Sequence, residues 1–230
     1  FTTVASVAFL HTVMGPDHYV PFIALGKNKS WSLQKTCGVV FVCAFGHALG
    51  SIILGIVGIY FGLELQALSS IEGDRGVFAA WVMIALGLIY GSWGFKKVFL
   101  RHPHEHWHAH SGVFHRHKHV HDETHKHVHN PYDLDKRDSS AWALFIIFVL
   151  GPCEPLIPLM MLPAANESVI GVIGVIAIFF LVTLITMLGV VIVGFYSLNR
   201  ARFDFFSRFG STLTGGSITA CGLLVIIFEI

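Results

Sequence analysis

Residues 169–193 read VIGVIGVIAIFFLVTLITMLGVVIV, a run without a single charge whose only hydroxyls are those of Thr183 and Thr186. About 20 such residues in a helix cross the hydrocarbon core of a bilayer. A barrel strand would alternate apolar with polar positions, whereas this run is apolar all round, so a helix is the structure it specifies. Working outward, runs of spanning length recur at 1–25, 37–63, 76–99, 141–163, 168–196 and 209–230. The expected fold is all-α: a polytopic membrane protein of six transmembrane helices. Composition agrees, with 54% of the 230 residues hydrophobic and 13% charged, against about 25% charged in soluble domains. A water-soluble globular fold is excluded.

The cationic residues alternate between loops. Lys27, Lys29 and Lys35 follow the first span; Lys96, Lys97, Arg101, Arg116, Lys118, Lys126, Lys136 and Arg137 follow the third; Arg200, Arg202 and Arg208 follow the fifth. Arg75 alone falls in the other two loops, the short linkers around Glu72 and Glu167. The positive-inside rule then puts the loop at 100–140 in the cytoplasm of a plasma (inner) membrane protein, with both chain ends and the two linkers outside. It also divides the chain into a three-helix half at 1–99, the loop, and a second half at 141–230.

The halves share a signature: GPDHYVPFI from Gly15 and GPCEPLIPLM from Gly151. Three spans separate the copies, so they run through the membrane in opposite senses, the arrangement of inverted-repeat transporters. Gly-Pro breaks a helix, because proline lacks the backbone donor and crowds the preceding turn. Broken first and fourth helices are therefore expected to face each other near mid-membrane, where such proteins bind their substrates.

Around those breaks lie ionisable groups that cost at least about 2.5 kcal/mol each at such depth. His11, Asp17 and His18 occupy the first span, His47 the second, and Cys153 and Glu154 follow Pro152 in the fourth. Imidazole, carboxylate and thiolate suit divalent transition metals. On an unbroken helix His11 and His18 would be about 10 Å apart, too far to share an ion, so the Gly15–Pro16 break must bring them together. We read His18 and Asp17 as primary ligands, His11 and His47 as additional ligands, Glu154 as a second-half ligand or proton acceptor, and Cys153 as a further ligand. The alternative is that these groups hydrogen-bond neighbouring helices and only specify packing.

Twelve of the fifteen histidines fall between Lys96 and Asp138, many at every second position. Such a segment cannot build a core and offers many exchangeable imidazole ligands for nickel, cobalt, zinc or copper; a cytoplasmic pH sensor is the competing reading. Cys37, Cys43, Cys153 and Cys221 show no paired spacing, and no disulfides are expected.

His11, Asp17, His18, the HAL motif at His47 and the histidine-rich loop together resemble the nickel/cobalt transporter family NicO and its urease-accessory UreH-like branch, within the LysE-like superfamily. The similarity spans most of the chain. It implies a metal transporter whose first-helix His, Asp and His recognise the ion; five residues separate His11 from Asp17 here, where that family has four. GPCEPLIP also resembles the proline-flanked cysteine of the related DsbD/CcdA transmembrane domain, which carries electrons through one cysteine from each half; Asp17 stands where the first cysteine would be.

The expected function is transport of Ni2+ or Co2+, or of another divalent transition metal such as Zn2+ or Cu2+, by alternating access. No enzymatic chemistry and no tightly bound cofactor are expected. The partners are the ion, the lipid bilayer and a cytoplasmic metallochaperone at the loop, with no nucleic acid. The alternatives are a thiol-disulfide electron carrier using Cys153, a sulfite or organic anion exporter of the same superfamily, and a metal or pH sensor.

Overall fold

A computed structural model of the chain describes residues 1–99, 104–110, 113–119, 139–200 and 204–228. Eight helices carry almost all of the described chain: α1 (Thr2–Met14), α2 (Val20–Asn28), α3 (Leu33–Phe61), α4 (Leu65–Phe99), α5 (Ser139–Leu150), α6 (Leu156–Ala165), α7 (Val169–Arg200) and α8 (Asp204–Phe228). Four segments are long and apolar enough to cross a membrane, Leu33–Phe61, Leu65–Lys96, Val169–Leu198 and Phe209–Phe228, the third having a mean hydropathy of 3.0. Three shorter apolar helices accompany them. Large apolar side chains such as Phe41, Phe45, Ile53 and Ile185 point outward, which suits a hydrocarbon surround and would be costly in water. The chain is an integral, polytopic, helical membrane protein.

The helix breaks fall at the expected motifs. Between α1 and α2, Gly15 is extended (φ −86°, ψ 96°) and Pro16–His18 form one 3₁₀ turn. Between α5 and α6, residues 151–155 leave helical geometry. One buried cluster around Phe22, Val40, Leu144, Phe148 and Met187 joins α2, α3, α5 and α7. A second, around Ala8, Cys153, Leu156, Met160 and Phe179, joins α1, α6 and α7. The two breaks lie where these clusters meet.

Two expectations change. The run from Glu72 to Gly76, with its charges and glycines, reads as a linker, but α4 begins at Leu65 and carries Glu72 and Arg75 within its first turns. The physical reason is compensation: the two residues are three apart on one helix face and pair with each other, which removes the cost of a lone charge. The all-α expectation also gains a small exception. Within the histidine-rich loop, β1 (His104–His110) pairs antiparallel with β2 (Val113–His119), placing His104 opposite His119, His106 opposite His117 and His108 opposite His115. The loop from residue 120 to 138 lies outside the described residues.

Candidate metal centre at the helix breaks

α1 ends so that its freed backbone groups are satisfied locally. Gly15 N–H reaches the His11 carbonyl (3.0 Å), His18 N–H reaches the Gly15 carbonyl (3.1 Å), and the Tyr19 hydroxyl donates to the Val13 carbonyl (3.1 Å). The turn folds His18 back beside His11, with ring centroids 4.9 Å apart. That tight return requires glycine at position 15: a Cβ there would sit 2.5 Å from His18 Nδ1 and 2.8 Å from Asp17 Oδ1.

His18 is 3% exposed, and its Nδ1 lies 3.2 Å from both the Gly15 carbonyl oxygen and Asp17 Oδ1. Both partners only accept, so Nδ1 carries the proton and donates. In the neutral ring Nε2 is then the lone-pair nitrogen, and it is buried with no hydrogen-bond partner among the described residues. A carboxylate or carbonyl on one ring nitrogen is the usual way a metal-binding imidazole is oriented.

His47 repeats the device from the other side. α3 buries it at 3% exposure, and its Nδ1 donates to the carbonyl of Phe148 in the last turn of α5 (3.2 Å). Its Nε2 is likewise buried and unpartnered, as is that of His11. The His47 and His18 rings are 5.2 Å apart. Three imidazole nitrogens without a protein partner are thus gathered around one buried pocket, against the strong tendency of buried polar atoms to find partners.

Cys153 completes the group from the α5–α6 connection. It is fully buried, and ligand atoms of His11, His47 and Cys153 all lie within 4.8 Å of one another. A tetrahedral ion with bonds of about 2.0–2.3 Å sets its ligands roughly 3.5 Å apart. The set therefore needs to close by only about 1 Å. A cavity of about 30 Å³ lies among His11, His18, His47 and Glu154, enough for one ion or a water or two.

Of the residues singled out in the sequence, His11, His18, His47 and Cys153 are brought together. Asp17 lines the same cavity, and its Oδ1 faces His18 Nδ1, so it orients that ring. Glu154 lines the cavity and is exposed, outside the close cluster. All four cysteines are free thiols. Thr183 is buried on α7 with its hydroxyl unpartnered.

Sequence reading missed a second set of residues. Ser51, one helical turn from His47, donates its hydroxyl to Glu72 Oε2 (3.1 Å). Glu72 also accepts from the Cys153 backbone N–H (3.1 Å) and from Arg75 Nη1. The signal was present as a Ser four residues after a His, and an Arg three after a Glu, but glycine-rich surroundings masked it.

A family model described as cytochrome C biogenesis protein transmembrane region matches residues 21–227 of the chain. No curated protein and no solved structure matches it. The match falls on the DsbD/CcdA-related side of the resemblances drawn above, and the nickel/cobalt branch is not what it names.

Proposed function

The chain belongs to the family of cytochrome c biogenesis transmembrane regions; from the chemistry of its buried site rather than from that membership, we propose that it is a membrane transporter of a divalent transition-metal cation. Nickel or cobalt is the first choice. One observation carries the reading: three buried imidazole Nε2 atoms without partners, two of them fixed as lone-pair donors by Nδ1 bonds to acceptors. Unpaired buried acceptors are costly, and a cation that visits them supplies the missing partner. His11, His47 and Cys153 would be the closest ligands, His18 a fourth, and Asp17 and the Phe148 carbonyl the groups that aim them.

The reading takes the architecture to be six spans in two inverted halves, with α1 and α2 forming one broken span and α5 and α6 another; four long apolar helices and three shorter ones support it. The two breaks meet at the site, so rocking the halves about it would give alternating access. On the positive-inside count the histidine-rich loop is cytoplasmic. The reading takes an ion or proton gradient as the driver; no G-x-x-x-x-G-K-[ST] nucleotide motif occurs in the given sequence, so ATP hydrolysis would need a partner.

Family membership by itself favours a second reading, a thiol-disulfide electron carrier working through Cys153. Such a relay needs thiolate attack on a disulfide and a second thiol to resolve the mixed disulfide. The cluster at the breaks contains a single sulfur, so the resolving thiol would have to come from another protein or another part of the chain.

One experiment separates the two. The full chain is reconstituted in vesicles enclosing a metal-sensitive dye, and cobalt entry is recorded. On the metal reading, His18→Ala and His47→Ala abolish entry while Cys153→Ser keeps part of it. No cobalt entry by the unaltered chain, with dithiol oxidation across the vesicle membrane lost only in Cys153→Ser, would establish the relay instead.

A further inference from the structure

We infer that Glu72, Arg75 and Ser51 are positioning residues that hold the Cys153 peptide in place, so that its sulfur stays within reach of His11 and His47. This rests on the metal reading of the cluster and adds to it the part of the protein that aims the sulfur.

The Cys153 backbone lies in the non-helical connection between α5 and α6, where its carbonyl accepts from the Leu156 N–H (2.9 Å) but its own N–H has no backbone partner among the described residues. Its N–H is held instead by Ser51 Oγ (3.0 Å) and Glu72 Oε2 (3.1 Å). Glu72 is wholly buried, and a carboxylate in an apolar interior persists only when its charge and lone pairs are answered. Here both oxygens are engaged: Oε2 accepts from Ser51 and Cys153, and Oε1 accepts from Arg75 Nη1.

Arg75 reaches onward. Its Nη2 donates to the carbonyls of Val149 (3.1 Å) and Gly151 (3.4 Å). These belong to the end of α5, where carbonyls have no partners within the helix. The guanidinium therefore ties the helix end on one side of Cys153, while the carboxylate ties the Cys153 peptide itself. Close approach to α3 is part of the arrangement, since a Cβ on Gly50 would lie 2.7 Å from Arg75 Nη2. Three helices that carry or abut the site, α3, α4 and α5, are joined through this one cluster.

An ion pair that merely stabilised the fold would leave the metal's immediate surroundings unchanged when altered conservatively. A cluster that aims a ligand would not. Partners behind a ligand typically contribute about 10- to 100-fold in metal affinity.

The test uses the purified full chain in detergent, titrated with Co2+ and followed by the thiolate-to-cobalt charge-transfer absorption. The histidine-rich loop has no cysteine and is silent in this band, which Cys153→Ser must remove. Glu72→Gln, which keeps the shape and one acceptor oxygen, is expected to weaken the cobalt affinity read from this band by about 10- to 100-fold. Glu72→Ala should lose the band and keep the weaker ligand-field absorption of an imidazole-bound ion. Ser51→Ala, expected to fold more readily, should give a smaller loss in the same direction. Folded Glu72→Gln and Ser51→Ala proteins with the unaltered band and affinity would overturn the positioning role alone. Cobalt bound by the unaltered chain without any thiolate band would overturn Cys153 as a ligand and the positioning role together, and no cobalt bound once residues 102–129 are removed would overturn the underlying metal reading with them.

Discussion

Gly15→Ala tests the construction of the site with the smallest available change. The backbone there is extended, with φ −86° and ψ 96°, which an alanine adopts without strain, so any effect must come from the added methyl group. That carbon would lie 2.5 Å from His18 Nδ1. To restore an ordinary contact of 3.4 Å the imidazole must retreat by about 0.9 Å. Functional sites tolerate displacements of about 0.5 Å before losing their geometry. The Nδ1 bonds to Gly15 and Asp17, already 3.2 Å long, would stretch past the limit at which a hydrogen bond contributes. The expected result is a cobalt affinity about 10- to 100-fold weaker, with thermal unfolding in detergent shifted only slightly. Competition between the purified full chain and a chromophoric chelator measures it. A Gly15→Ala protein that binds cobalt as tightly as the unaltered chain would refute the claim that His18 is held ready for an ion.

Further outcomes follow from the same structure. Arg75→Met leaves Glu72 buried without its cation and should lower stability by about 3–5 kcal/mol, read by denaturant unfolding in detergent; adding Glu72→Gln should recover much of that loss. His47→Phe keeps ring volume but removes both nitrogens, freeing the Phe148 carbonyl and one ligand, so metal entry into vesicles should cease while the helical circular dichroism is retained. Removing residues 102–129 should reduce the number of cobalt ions bound and spare entry through the core; loss of all binding would place the metal site in the loop alone. Asp17→Asn keeps an acceptor for His18 Nδ1, so it should retain far more cobalt affinity than Asp17→Ala, the opposite of what a direct carboxylate ligand would give.

How much of this was legible beforehand depended on range. The apolar runs located every long helix, because period-free hydrophobicity over some 20 residues has few other uses. Gly15–Pro16 and Gly151–Pro152 marked both breaks, since the residues that interrupt a helix do so through local sterics. His11, His18, His47 and Cys153 stood out because such groups are rare among apolar neighbours. Asp17 and Glu154 carried the same local signal, yet Asp17 pairs with His18 while Glu154 is exposed at the cavity's edge, a difference set by which way a non-helical turn points its side chains. Glu72 and Arg75 went unread for a related reason. Their partners are Ser51, Val149, Gly151 and Cys153, all more than twenty residues away, and nothing in the short charged stretch itself announces them.

The Nδ1 bonds of His18 and His47 end on carbonyls of Gly15 and Phe148, and both carbonyls belong to places where a helix stops. Each ring is thereby tied to a helix break. On the metal reading, an arriving cation would meet nitrogens already turned toward it, and its departure would call for movement of a helix end as well as of a side chain.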